Sequence, residues 1–175
     1  MPEWRIKAMR RVVLDAMWEK QWDRVKRRYT RLELMNTPGE HISPAADYPD
    51  DDFQAFFVDC FHLKDWLKND SASGLSSKEV EDTVTKSGVL GLCGDLANGS
   101  KHLLLTTPRV DPHAKLSGRL FKVALQAGGS TPQPTTIAYS YKVEVLGKTF
   151  DAFELATACM AEWESFLKSK GLITT

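Results

Sequence analysis

The apolar residues of this chain follow two different spacings, and the change between them constrains the fold more than any other feature. Up to about residue 105, and again from 151 to 170, they recur every three or four positions, which is the repeat of an amphipathic helix. Between Arg119 and Val145 they alternate with polar residues, as in a β-strand. The sequence therefore predicts a mainly α (α+β) fold, a helical bundle with a small antiparallel β-hairpin or sheet before a C-terminal helix.

Turn and capping residues divide these stretches into elements. A long first helix is predicted from about Pro2 to Met35, because no further Gly or Pro occurs until Pro38-Gly39. The remaining helices are predicted at about 50–69, from near 77 after a Ser76–Glu79 capping box, at 88–103 and at 151–170. A chain of 175 residues with 42% hydrophobic content predicts one domain, with the bundle at 1–105, the hairpin region at 116–150 and the last helix at 151–170.

The charges balance, with 23 basic and 23 acidic residues, so the general basic excess of a protein that coats nucleic acid or anionic membrane is absent. Residues 1–35 are nevertheless basic, and residues 40–52 are acidic. We interpret these segments as solvating each other within one fold, with a polyanion site as the alternative. No apolar run resembles a signal peptide or a membrane span, which predicts a soluble, cytoplasmic protein without membrane partners.

The three cysteines, Cys60, Cys93 and Cys159, each fall on an apolar helical position and lack CxxC spacing. Their number is odd, and we interpret them as core thiols rather than as a disulfide framework or a zinc knuckle. No metal ligand set and no cofactor is predicted, because neither HxxxH nor HExxH occurs and no glycine-rich phosphate loop is complete.

Reactive side chains concentrate on two of the predicted helices. Asp95, Asn98 and His102 share one polar stripe of the fourth helix, where an imidazole oriented by a carboxylate is a candidate general acid or base. On the second helix, Asp59, His62 and Trp66 lie off the apolar stripe, as a pocket wall or a second packing surface. If the two faces met, His62, His102 and nearby aspartates could form a metal-dependent hydrolase.

The segment Asn98-Gly99-Ser100-Lys101-His102 resembles the Asn-to-His half of the RNxxxH signature of HEPN domains, over about residues 1–105. That family consists of compact helical bundles in bacterial toxins, phage-defence proteins and RNA-processing nucleases, which commonly form homodimers with a metal-independent ribonuclease site. The resemblance implies that His102 is the acid or base and that Asn98 orients it or the phosphate. Ala97 stands at the family's arginine position, so a catalytically degenerate relative is at least as consistent with this sequence as a ribonuclease.

Three hypotheses follow. The first is a binding module, which the resemblance identifies with a degenerate HEPN-like module that binds RNA, a nucleotide or a protein partner. In this hypothesis Asp95, Asn98 and His102 tie the fourth helix to the loop or hairpin by buried hydrogen bonds. The second is a HEPN-like ribonuclease that uses His102, and the third is the metal-dependent hydrolase. The sequence favours the binding module, because the motif is incomplete and the net charge is zero. The candidate binding residues are His62, Asp59, Trp66, Lys101, Arg24, Arg27 and Arg28.

Overall fold

The structure is a computed structural model that describes residues 16–37, 49–100, 106–124 and 136–174. In these ranges five α-helices and three strands follow one another, with a short 3₁₀ helix at Ser71–Ser73. The elements are α1 (Met17–Asn36), α2 (Pro49–Asn69), α3 (Ser77–Lys86), α4 (Gly88–Gly99), β1 (Lys115–Ala124), β2 (Thr136–Val145), β3 (Lys148–Asp151) and α5 (Ala152–Ser169). The predicted fold class is confirmed, since a mainly helical chain carries a small antiparallel sheet before its last helix.

Local sequence starts three of the helices. The predicted capping box at the start of α3 is present, with the Ser76 side chain and the Glu79 side chain each bonded to the other's backbone N–H. At the start of α4, the Ser87 hydroxyl accepts the backbone N–H of Leu90 at 3.0 Å. The Asp151 carboxylate caps α5 in the same way. These caps satisfy N–H groups that no residue within the helix can reach.

The helix α2 lies at the centre of the bundle and contacts all four other helices. Its side chains Phe53, Phe56 and Phe57 are fully buried, together with Trp18 of α1 and Trp163 of α5. The sheet joins this core through Tyr141 of β2, whose ring centroid is 4.9 Å from that of Phe53. Bundle and sheet therefore share one hydrophobic core.

The sheet has the order β1-β2-β3, and all its pairs are antiparallel. The strands β1 and β2 pair from Lys115↔Glu144 to Ala124↔Thr136, with an irregularity between Ser117 and Arg119. By contrast, β3 pairs only with residues 142–145 of β2. The connection between β2 and β3 is a tight turn at Leu146 and Gly147, both of which have positive φ. The sheet is therefore three-stranded at its base and two-stranded beyond it.

Several basic residues of α1 pair with acidic residues of α2. Arg24 and Arg28 both approach the Asp59 carboxylate, and the Arg31 Nε lies 2.8 Å from the Asp52 carboxylate. Of these three pairs, only Arg31–Asp52 joins the basic segment at 1–35 to the acidic segment at 40–52. Residues 1–15 and 38–48 lie outside the described part, so the mutual solvation of the two segments stays an interpretation. None of the helices described here is both long enough and apolar enough to cross a membrane.

Candidate functional site

The side chain of Asp95, which the sequence places on a polar stripe, is buried in the structure, with 1% of its surface exposed. Its carboxylate accepts three backbone N–H groups from the loop that follows α4: Arg109 at 2.7 Å, Val110 at 2.6 Å and Asp111 at 2.8 Å. A buried carboxylate is tolerated when such donors replace water. Asp95 therefore ties α4 to the loop, the role that the binding-module hypothesis describes for it.

The same loop connects α4 to the sheet through Asp111, which is also buried. The Asp111 carboxylate accepts the backbone N–H of Leu146, in the turn between β2 and β3, and that of His113. These two hydrogen bonds stabilise the ionised form and lower the pKa of Asp111. Asp95 thus links α4 to the loop, and Asp111 links the loop to the base of the sheet.

The segment Asn98-Gly99-Ser100-Lys101-His102, which carries the resemblance to HEPN domains, is described by the structure only up to Ser100. Asn98 lies in the last turn of α4 and is partly exposed. Lys101 and His102 lie outside the described residues, so the position of the candidate imidazole relative to Asp95 and Asn98 stays a prediction. Ala97, at the family's arginine position, is buried in the core.

Asp59, the candidate carboxylate of α2, bonds to α1. The Gln21 side chain donates to the Asp59 backbone carbonyl at 2.7 Å, and the Arg28 Nε donates to the Asp59 carboxylate at 3.2 Å. The Arg24 guanidinium is 3.8 Å from the other carboxylate oxygen. Of the candidate binding residues on α1, Arg24 and Arg28 therefore serve a contact between helices, whereas Arg27 is exposed.

His62 and Trp66 are both partly exposed on α2. Among the described residues, His62 makes no hydrogen bond to a carboxylate. Trp66 lines a shallow groove of about 310 Å³ with Met17, Asp65, Asn69 and Asp70. Burial opposes the ionisation of Asp65, but hydrogen bonds from Lys64 and Lys68 outweigh it and lower the pKa of this carboxyl group. The Asp65 carboxylate, which borders the groove, is therefore already paired with two lysines.

The two candidate carboxylates thus engage different parts of the molecule. Asp59 bonds to α1, whereas Asp95 bonds to the loop at residues 109–111. An acid held as the acceptor of several donors has few lone pairs left for a substrate proton or a metal ion. Within the described residues, Asp59 and Asp95 therefore form two separate anchoring contacts rather than one catalytic cluster.

The structure brings together one set of residues that the sequence analysis did not connect. Cys60 of α2, Cys93 of α4 and Cys159 of α5 are buried, as the core-thiol interpretation expects, and their sulfur atoms all lie within 4.8 Å of one another. Each cysteine follows the apolar repeat of its own helix, and only the packing of the three helices makes them neighbours.

The cysteine cluster, Cys60, Cys93 and Cys159, has uneven proton affinities. Burial opposes the ionisation of Cys60, but the neighbouring thiols of Cys159 and Cys93 and the nearby indole of Trp163 together lower its pKa to about 5. Burial raises the pKa of Cys93, whose thiol also donates to the Phe57 carbonyl at 3.4 Å. The hydrogen bond to Cys60 raises the pKa of Cys159. Of the three thiols, Cys60 therefore has the lowest pKa.

Comparison with known proteins gives no relative from which a role could be transferred. No family model, no curated protein and no solved structure matches this chain. The resemblance to HEPN domains therefore rests on the residues at 98–102 alone and stays a hypothesis.

Proposed function

We propose that this chain is a protein-binding module, in which the helical bundle carries a β-hairpin that accepts an extended segment of a partner protein. The observation that carries this proposal is the pairing of the sheet. The distal hairpin, defined as residues 121–124 and 136–139, consists of four cross-strand pairs from Phe121↔Tyr139 to Ala124↔Thr136. In the part of the chain that the structure describes, no third strand borders either of its edges.

An isolated two-stranded hairpin is marginally stable in water, and its outer edges present unpaired N–H and C=O groups. An extended peptide can satisfy these groups by adding a strand, which is a common mode of protein recognition. The distal hairpin is also rich in apolar residues, since its register opposes Phe121 to Tyr139 and Val123 to Ile137. These features support a polypeptide as the partner.

The charges favour a protein over RNA. Binding to RNA draws much of its strength from cations that neutralise phosphates. Here Arg24, Arg28 and Arg31 pair with acidic residues of α2, and the whole chain has zero net charge. The hydrogen bonds of Asp95 also favour a structural role over catalysis at that position. Binding in bacterial defence or a toxin system stays part of the hypothesis that the HEPN resemblance implies.

Selection from a displayed library of random extended peptides tests the proposal. Peptides selected against the purified chain should protect backbone amides of the distal hairpin from hydrogen exchange. Sedimentation across a concentration range shows in parallel whether a second copy of the chain occupies the same edge. Selected peptides that protect only helices would contradict the proposal.

Two matched variants locate the interface. In the first, an Asn-Gly turn replaces residues 121–139 and joins Leu120 to Ser140, which the register places opposite each other. In the second, only the connection at 125–135 is shortened, so that both strands remain. Both variants should keep the helical circular dichroism of the parent, and only the first should lose peptide binding. Equal binding by both variants would place the interface elsewhere.

A further inference from the structure

We propose that the cysteine cluster is a three-thiolate site for one soft, three-coordinate trivalent ion of the arsenite class, held between α2, α4 and α5. Three sulfur atoms from three separate helices lie within 4.8 Å of one another, and all three residues have no exposed surface. This site is separate from the distal hairpin and does not depend on the proposed function.

The distances suit a single ion with small adjustments. Three sulfur atoms bonded to one ion at about 2.3 Å lie at most about 4 Å apart. The sulfur atoms of Cys60, Cys93 and Cys159 are already within 4.8 Å of one another, so each needs to move by about an ångström or less. Rotation of the cysteine side chains supplies such a shift without moving the helices.

The site offers three ligands, so it suits an ion that binds three ligands rather than four. Among the described residues, no fourth Cys, His, Asp or Glu joins the group of three sulfur atoms. A structural zinc site normally has four protein ligands in a tetrahedron. Thiolates prefer soft ions, and a soft ion that is satisfied by three sulfur ligands fits this set better than zinc.

The indole of Trp163 is a second, independent observation. Trp163 is fully buried, and its Nε1 has no hydrogen-bond partner among the described residues. A buried N–H without an acceptor is costly. The indole lies near the Cys60 sulfur but does not donate a hydrogen bond to it. Hydrogen bonds from outside the ligand set orient thiolates and tune their affinity in metal sites, and Trp163 is placed to supply one.

Because the site is buried, the ion that fits best is the one that makes the whole complex neutral. Three thiolates with a monovalent ion carry two negative charges and with a divalent ion one, and an unpaired charge in a buried site is strongly disfavoured. A trivalent ion gives a neutral complex. When arsenous acid, As(OH)₃, binds, three As–O bonds break and three As–S bonds form without a change of oxidation state. The three cysteine thiols each release a proton to one of the departing hydroxides, and three waters leave.

The test uses the full chain, loaded with arsenite during slow equilibration or refolding in the presence of a phosphine reductant, because a buried site is reached only through local opening. Native mass spectrometry should show one arsenic atom gained and three hydrogen atoms lost. A thiol reagent applied after unfolding of the free protein should count three thiols, since the chain has only three cysteines. Bound arsenic should raise the thermal midpoint.

Four variants separate coordination from folding. Cys60→Ala, Cys93→Ala and Cys159→Ala should each abolish the complex that has lost three hydrogen atoms. Trp163→Phe replaces the indole with a smaller aromatic ring that has no N–H, and it should weaken binding by about 10–100-fold with the stoichiometry unchanged. Retention of the complex in any folded Cys→Ala variant would overturn the proposal. Failure of the parent chain to bind arsenite, with or without binding of Zn(II) or Cu(I) in parallel titrations, would overturn it as well.

Discussion

The backbone N–H of Asp111 donates to the Asp95 carboxylate at 2.8 Å, while the carboxylate of Asp111 accepts the backbone N–H of Leu146. Asp111 is thus held in place by Asp95 of α4, and it in turn holds the turn between β2 and β3. This relationship links the helical core to the base of the hairpin, so changes at Asp95 should affect both parts of the fold.

Replacement of Asp95 by Ala should lower the free energy of unfolding by about 3 kcal/mol, because three buried or partly buried N–H groups would lose their acceptor. Urea unfolding followed by circular dichroism measures this change. The control is Asp82→Ala, which removes an exposed pair with Lys78 and should leave the free energy of unfolding almost unchanged, because water and salt screen such a pair. Similar effects of the two substitutions would contradict the anchoring role of Asp95.

Gly94 is required where α4 meets α2. A Cβ at this position would lie 2.5 Å from a ring carbon of Phe61, which is itself buried. Gly94→Ala should therefore destabilise the protein by about 1–3 kcal/mol through overpacking. In the same helix, a Cβ at Gly88 would meet nothing within 4 Å, so Gly88→Ala should be neutral or stabilising by up to about 1 kcal/mol. Thermal unfolding of both variants should show opposite or clearly unequal shifts.

The turn at Leu146 and Gly147 offers a stabilising substitution. Leu146 has φ of 49° and is largely exposed, so a branched side chain adopts a left-handed conformation without burial in return. Leu146→Asn should raise the free energy of unfolding by about 0.5–1 kcal/mol, because Asn-Gly is preferred in such turns. Gly147→Ala, at φ of 72°, should lower it. A loss of stability in Leu146→Asn would show that the turn is not strained.

Acid should weaken the contact between α3 and the end of α5. The pKa of Glu79 is lowered to about 2 by a hydrogen bond from Lys170 and by bonds from the backbone and hydroxyl of Ser76. A carboxyl group whose pKa is lowered in the folded state stabilises the protein at pH values above the pKa of the unfolded state, which is about 4.3 for Glu. This contribution is lost as the pH falls from about 5 towards 2.

Glu79→Gln should therefore be less stable than the parent at pH 7, and the difference should narrow between about pH 5 and pH 2. Urea midpoints measured across this range provide the test. Lys170→Met removes the first partner but keeps the capping box, so it should retain part of the pH dependence. A difference between parent and Glu79→Gln that stays constant from pH 7 to pH 2 would contradict the assignment.

The binding proposal predicts that the folded chain does not cleave RNA. Labelled structured and single-stranded RNAs, incubated with the parent and with His102→Ala, should stay intact with and without chelator. Cleavage that resists chelator and disappears in His102→Ala would instead support the HEPN-like ribonuclease. Cleavage that chelator abolishes would support the metal-dependent hydrolase.

Local patterns in the sequence were sufficient for the elements of the fold. The capping box at Ser76 and Glu79 and the alternation within β2 were both predicted and both present, because each depends on residues close together in the chain. The first strand begins at Lys115, earlier than the predicted start at Arg119, because Lys115 pairs with Glu144 of a strand more than twenty residues away. Pairing partners, unlike helix repeats, are not local.

The roles of individual polar and sulfur-containing residues depended on packing. The spacing of Asp95, Asn98 and His102 predicts a shared stripe, but the loop at residues 109–111 covers Asp95 and uses its carboxylate. The sequence likewise determined that Cys60, Cys93 and Cys159 lie on apolar helical positions. Only the tertiary structure decided that the three sulfur atoms meet, because helix periodicity specifies which face is buried but not which faces come into contact.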